Sequence, residues 1–204
     1  PDRLMVLFAR DVLSRVPGGT IIYDVKCTGH LAGEIAAAGG RPLMWKTGHS
    51  LIKARMRAEQ APLAGEMSGH FFFKERWYGF DDGLYAGARL LELLANRPEA
   101  PGAVLAGLPK GVSTPELKIA MAEGEHHAFI ARFIGTAAFE GATVSDIDGI
   151  RADWPDGWGL VRCSNTTPCL VLRFDADSEA ALARIQGEFR RQLLATDPAL
   201  SLPF

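Results

Sequence analysis

Near its middle the chain runs through PEAPGAVLAGLPKGVSTPE, residues 98–116, where prolines and glycines crowd together and hydrophobic periodicity fades. Proline removes backbone donors and glycine raises the entropy cost of ordering, so a long regular element is not expected to cross such a run. The stretch divides the 204 residues into two pieces, each of ordinary domain size. The boundary is placed close to Lys110, giving one domain over 1–109 and a second over 110–204.

The two pieces have different rhythms. In the first, PDRLMVLFARDVLSRVPGG reads as a helix opened by Pro1 and Asp2 and ended by Gly18 and Gly19. TIIYDVKCT has the β-branched and aromatic character of a strand. GHLAGEIAAAGG is a short helix, RPLMWK a strand and HSLIKARMRAEQ a further helix. FFFKERWYGF then reads as a strand and turn, and DDGLYAGARLLELLANR as an acid-started helix with a broad apolar stripe. Alternation of this kind predicts an α/β layered domain with a mixed sheet.

The second piece begins with a strand, ELKIAMA, and a helix, EHHAFIARFIGTAAF. The segments GATVSDIDGIRADW, GWGLVRCS and CLVLRFDA follow as strands in succession. A last helix, SEAALARIQGEFRRQLLA, takes Asp177 as its N-cap and buries Leu182, Ile185, Phe189 and Leu193 on one side. Sequential strands with helices at the two ends predict a small α+β domain with an antiparallel sheet.

Hydrophobic residues make up 48% of the chain and charged ones 23%, enough to fill two cores. A net charge of −2 offers no electrostatic footprint for nucleic acid or an anionic membrane, so neither is expected as a partner. No run of eighteen apolar residues and no basic segment leading an apolar one occurs, which argues against a spanning helix and a signal peptide. Cys27, Cys163 and Cys169 are odd in number and lack metal-type spacing, as fits a reducing cytoplasm. The chain starts PDRLMV without an initiator methionine, as expected of a processed or excised piece of something longer.

Two segments carry chemistry. GEMSGH, residues 65–70, is too polar for a core strand. If it is extended, Glu66, Ser68 and His70 share one face while Met67 points back. Their donors and acceptors suit groups that also do both, such as vicinal sugar hydroxyls, and Gly65 and Gly69 would let the backbone approach a ring. A solvated hairpin, or metal ligation by Glu66 and His70, are the alternatives. In VRCSNTTPCLVLRF, two strand-like runs flank a polar turn with Arg162, Ser164, Asn165, Thr166 and Thr167. A forked guanidinium, short hydroxyls and turn amides form a phosphate-binding set, and Pro168 marks where the amides stop. A plain Asn/Thr-rich hairpin turn is the competing reading. No dinucleotide or Walker-type glycine pattern occurs, which favours a monophosphate ester over a nucleotide in that turn.

Weaker signals surround these. Lys26 ends an apolar strand and is either a proton-transfer group of lowered pKa or a lysine snorkelling to the surface. His49 either begins a helix or serves as an acid/base group. Lys53, Arg55 and Arg57 read as a solvated basic face able to attract an anion, and His126 and His127 as structural.

YDVKCT, MWKTGHSLIK, GEMSGHFFFKERWYGFDDG, STPE and GWGLVRCSNTTPCLVLRF together resemble the α-D-phosphohexomutase superfamily, in its bacterial phosphomannomutase/phosphoglucomutase branch, over nearly the whole chain. Met67 favours that branch over the glucosamine-phosphate one. The resemblance implies the third and fourth domains of a four-domain enzyme, the fourth having a TATA-binding-protein-like sheet. It implies an isomerase that moves a phosphoryl group between O1 and O6 of a hexose through a hexose 1,6-bisphosphate, with Mg²⁺. It implies that Glu66, Ser68 and His70 bind sugar hydroxyls and that Arg162, Ser164, Asn165 and Thr166 grip the non-reacting phosphate. Lys26 and His49 would line the active site. The family's phosphoserine loop and metal loop belong to the first two domains and have no counterpart here, so the Mg²⁺ site is expected outside this chain. The partners implied are a mannose or glucose phosphate and the N-terminal domains of the same protein. A hinge is expected near Pro109 to Thr114. The chain alone is expected to bind a sugar phosphate weakly and to catalyse nothing. A stand-alone sugar-phosphate-binding module and a phosphoglucosamine mutase fragment are the rival readings.

Overall fold

The computed structural model describes residues 1–204 and divides into two compact units, Pro1–Pro109 and Lys110–Phe204. The first unit contains helix α1 (Asp2–Arg15), strand β1 (Thr20–Asp24), α2 (His30–Ala37), β2 (Arg41–Trp45), α3 (His49–Glu59), β3 (Leu63–Gly65), β4 (Phe71–Phe73), α4 (Gly83–Ala95) and α5 (Pro101–Ala106). Its sheet has the order β2-β1-β3-β4; β1 runs parallel to β2 and β3, and β4 runs antiparallel to β3. A central parallel strand is covered on both faces, and all five residues of β1 are buried.

Strand alternation assigns the faces. Ile21, Tyr23, Phe71 and Phe73 join a core with Phe8 and Val12 of α1, Ile35 of α2 and Leu93 of α4. Ile22, Ala64 and Phe72 point the other way, onto Ile52 and Met56 of α3. This is the mixed α/β layering expected. The first layer is also tied by charge: buried Arg89 of α4 lies 3.0 Å from Asp11 and 2.9 Å from Glu75, and Arg15 reaches Glu75 at 2.8 Å. Burial pushes both carboxyls up, but the two arginines outweigh it and hold each below its ordinary range.

The second unit contains β5 (Val112–Ser113), β6 (Leu117–Ala120), α6 (Glu125–Thr136), β7 (Thr143–Ser145), β8 (Ile150–Trp154), β9 (Gly157–Cys163), β10 (Cys169–Ala176) and α7 (Glu179–Thr196). Its sheet is antiparallel throughout in the order β5-β10-β9-β8-β7, with β6 also pairing β10. Phe129 and Phe133 of α6 and Ile185, Phe189 and Leu193 of α7 pack on Val161, Leu172 and Phe174 of one sheet face. This is the α+β arrangement expected.

Four local expectations need correction. Residues 101–106 of the irregular stretch form α5, which has Pro101 in its first turn and buries Val104; six residues are too few for periodicity to register. GATVSDIDGIRADW is not one strand but the hairpin β7–β8. The cap of α7 is Ser178, whose hydroxyl accepts from the Ala181 amide, one residue beyond Asp177. The stretch expected to flex, Pro109 to Thr114, is partly tied down: Val112 and Ser113 are paired to β10, and Thr114 exchanges two hydrogen bonds with Phe174, so only 109–111 is without a tie to the sheet.

No helix is long and apolar enough to cross a membrane.

Candidate functional site

In an open α/β sheet the loops at the carboxyl ends of parallel strands are the usual place for a ligand. Here three such loops meet, following β1, β2 and β3, and a residue absent from the sequence-based site joins them. Asp24 ends β1 fully buried. Its Oδ1 accepts from the Met67 amide at 2.9 Å and from the Cys27 thiol at 3.1 Å, and its Oδ2 accepts from the Thr47 hydroxyl at 2.8 Å. Lys26 Nζ lies 3.9 Å from the same carboxylate. Lys26 is 6% exposed, so it does not snorkel. An acid closing an otherwise apolar strand was the sequence signal for Asp24, but the two partners that join it to the other loops, Thr47 and Met67, lie 23 and 43 residues away.

GEMSGH is not extended. It closes the β3–β4 hairpin: the Glu66 amide donates to the His70 carbonyl at 2.9 Å, and the Gly69 amide donates to the Glu66 carbonyl at 3.0 Å. Gly69 sits at φ +95°, a left-handed conformation that glycine adopts without steric cost. Strand alternation therefore does not gather the three side chains; the turn does. Gly65 differs from expectation too, since a Cβ there would meet Met5 Sδ at 2.8 Å and Phe71 at 2.9 Å. Its missing side chain makes room for the core, not for a ligand.

Glu66 is 4% exposed. Its Oε1 accepts from the Gly48 amide at 3.0 Å and its Oε2 from the Ser68 hydroxyl at 3.3 Å. Burial raises its pKa above the ordinary value, the Asp24 charge raises it further, and the Gly48 amide, His70 and Lys26 only partly oppose this. Ser68 and His70 stand at the exposed rim. His70 Nδ1 lies 2.8 Å from Asp81, which an isolated bridge to Phe72 brings back beside β4. The exposed His49 ring, at the start of α3, is 6.4 Å from the His70 ring. Carboxylate, hydroxyl, two imidazoles and an ammonium thus surround one end of the sheet. No group of three or more His, Cys, Asp or Glu side chains is placed to hold a metal ion, so Glu66 and His70 have no third ligand of that kind beside them.

The second candidate site belongs to the other unit. Arg162 is not in the polar turn but in β9, 3% exposed. Its Nε donates to Asp148 at 2.9 Å and its Nη2 to the Asn165 side-chain carbonyl at 3.1 Å. Asp148 escaped sequence reasoning because it sits in the β7–β8 turn, 14 residues back. The turn itself wraps around Ser164, whose hydroxyl oxygen accepts from the Thr166 and Thr167 amides, each at 3.3 Å, and lies 3.0 Å from the Thr167 hydroxyl. Residues 164–168 share a cavity of about 330 Å³ with Glu123, His126 and His127. Arg162 does not line that cavity; it reaches the turn through Asn165. His126 is 4% exposed, and its Nδ1 has no hydrogen-bond partner. Cys163, next to the turn, has its thiol pKa pushed up, chiefly by burial.

Residues 1–111 match the family described as phosphoglucomutase/phosphomannomutase, alpha/beta/alpha domain III, and residues 116–192 match its C-terminal domain. The whole chain is 54% identical to a phosphomannomutase/phosphoglucomutase of Pseudomonas aeruginosa and 55% identical to a phosphoglucomutase of Neisseria meningitidis, covering 44% of each. It therefore spans less than half the length of these relatives. Among solved structures, a phosphoglucomutase/phosphomannomutase family protein of Burkholderia thailandensis is similar over the whole chain and 43% of its own, at 60% identity and a TM-score of 0.94. With both units matched in order, the chain belongs to the phosphoglucomutase/phosphomannomutase family.

Proposed function

We propose that this chain provides sugar and phosphate recognition in a cytoplasmic phosphohexomutase that interconverts hexose 1-phosphate and hexose 6-phosphate through a hexose 1,6-bisphosphate. The observation that carries the proposal is the gathering of Lys26, His49, Glu66, Ser68 and His70 at the ends of parallel strands by Asp24 and the β3–β4 turn. Glu66 and Ser68 offer an acceptor and a donor to neighbouring ring hydroxyls, and His70, steadied by Asp81, offers a ring nitrogen. Ser164, Asn165 and Thr166 hold the phosphate that is not reacting, and the Arg162 guanidinium backs them from β9 through Asn165.

In the first transfer a hexose hydroxyl oxygen bonds to the phosphorus of the phosphoserine and the serine oxygen leaves with the electron pair; in the second the serine oxygen bonds to the phosphorus of the other phosphate and the hexose oxygen leaves with the pair. The His49 imidazole takes the proton from the attacking hexose hydroxyl in the first transfer and returns one to the leaving hexose oxygen in the second, while the Lys26 ammonium offsets the charge that develops. The phosphoserine that exchanges the group, and the residues that hold Mg²⁺ to neutralise charge, lie in the part of the longer relatives that this chain does not span. Between the two transfers the intermediate must turn over, and a movement about Pro109–Gly111 would loosen and restore the grip.

Calorimetric titration of the chain with glucose 1,6-bisphosphate tests the reading. Weak, saturable binding is expected, and Arg162→Ala should weaken it by ~1.5–3 kcal/mol, the range for a charged hydrogen-bonding partner. Unchanged affinity in that variant would remove the phosphate role. Mutase turnover by the 204-residue chain alone, in a coupled assay, would overturn the division of labour. Competition among glucose, mannose and glucosamine phosphates identifies the hexose, and a preference for the amino sugar would move the protein to the other branch.

A further inference from the structure

A second cavity, of about 710 Å³, lies on the first unit between α3 and the loop that follows β4. None of the residues of the hydroxyl-reading site lines it. Its volume falls within the range of small-molecule sites, roughly 300–1,000 Å³. Lys53 and Arg57 of α3 and Lys74 of the loop stand on its walls, and no carboxylate does.

Those cations are unbalanced in a way the sequence alone did not reveal. Lys53 and Arg57 are four residues apart on one helix face, a spacing at which like charges repel. The neighbouring acids are committed elsewhere: Glu59 pairs with Arg55 at 2.8 Å, and Glu75 pairs with Arg15 at 2.8 Å and Arg89 at 2.9 Å. Lys53, Arg57 and Lys74 form no ion pair of their own.

The opposite wall is aromatic. Tyr78 and Phe80 flank Gly79, where the backbone turns at φ +76°, and their rings stack with centroids 5.4 Å apart and planes 24° apart. Tyr78 is 67% exposed and Phe80 59%. Exposed aromatic faces beside unpaired cations favour a ligand that carries a flat ring and several negative charges together. Such a ring stacks on tyrosine or phenylalanine whatever its hydrogen-bonding pattern.

We propose that this cavity binds a nucleoside diphosphate, with its base against Tyr78 and Phe80 and its phosphates against Lys53, Arg57 and Lys74. The charge matches, since a diphosphate ester carries about three negative charges at neutral pH. Gln60, at the far end of α3, supplies an amide for the base edge or the ribose. The site is separate from the phosphate turn of the second unit and does not depend on the mutase reading.

The test is titration of the 204-residue chain with ADP, GDP, inorganic pyrophosphate and adenosine. One nucleoside diphosphate is expected to bind per chain, at least about tenfold more tightly than pyrophosphate, with adenosine weaker still. Arg57→Ala should weaken nucleotide and pyrophosphate alike by about tenfold, one charged hydrogen bond's worth. Tyr78→Ala should weaken the nucleotide and leave pyrophosphate unchanged. Both side chains are exposed, and circular dichroism verifies that the variants fold. Arg162→Ala should leave the preference for nucleotide over pyrophosphate unchanged, which separates this site from the proposed phosphate grip. The proposal is overturned if neither nucleotide binds, as expected were the cavity a seat for the rest of a longer protein. Equal affinity for pyrophosphate and nucleotide, or loss of nucleotide binding in Arg162→Ala, would overturn it as well.

Discussion

The two candidate sites are built in opposite ways. In the first unit the polar groups are sunk beneath the loops: Asp24 is fully buried, Glu66 nearly so, and each carboxylate oxygen has a donor. In the second unit the polar groups of the turn are exposed, and only Arg162 is buried, steadied by Asp148. Buried polar groups hold position because losing a partner is expensive, whereas an exposed turn can exchange each bond for water at little cost. The first site is therefore coupled to the stability of its unit, and the second is largely uncoupled except through one ion pair.

Substitutions can break or sharpen that contrast. The largest effect is expected for Asp24→Ala, which removes the acceptor of the Met67 amide, the bond from the Thr47 hydroxyl and one of the charges beside Lys26. A loss of about 4 kcal/mol is expected, within the range for breaking a buried charged network. Hydrogen exchange should show it in peptides from the first unit while the second keeps its protection. Uniform loss in both units would show that the two do not unfold separately.

Next comes Asp148→Ala, the one substitution expected to make the second site behave like the first. It leaves a buried guanidinium without its carboxylate and should cost about 3 kcal/mol. Denaturant unfolding followed through exchange in β9 measures it. A cost below about 0.5 kcal/mol, as for an exposed pair, would mean that Arg162 is not held as described.

Glu66→Gln should run the other way and stabilise the first unit by roughly 0.5–1 kcal/mol at neutral pH. A carboxyl whose pKa is raised by folding contributes stability that is present below its unfolded value, near 4.5, and lost as pH rises through the folded value. Glutamine removes that loss, so the variant's advantage should grow from acid to neutral pH and vanish near pH 4. An advantage that is flat with pH would refute the assignment. The smallest effect is expected for Thr166→Ala: stability within about 0.5 kcal/mol of the parent, with glucose 1,6-bisphosphate affinity lower by about 1 kcal/mol.

How much was legible in the sequence follows from where the determining contacts lie. TIIYD announced a buried strand because its β-branched and aromatic residues carry that information locally. Glu66, Ser68 and His70 lie in one turn, but hairpin closure and not the alternation read from the sequence brings them together. Asp24, Asp81 and Asp148 went unnoticed because each acts on a residue from a different loop or strand, through a register that pattern alone does not fix. Arg162 was placed in the turn because its neighbours in sequence are there, yet its strand position is what buries it. Lys53 and Arg57 read from sequence as a solvated basic face able to attract an anion, but the arrival of Lys74 beside them and the engagement of Glu59 and Glu75 with other arginines emerge only in the fold.

The hydroxyl of Ser164 already occupies the spot toward which the Thr166 and Thr167 amides point. On the proposed phosphate-grip reading it would act as a placeholder: an incoming anionic oxygen would replace one oxygen with another, with no loop to order first. Capture at this turn should therefore proceed at a rate governed by diffusion and electrostatic attraction, with a single exponential phase and no lag.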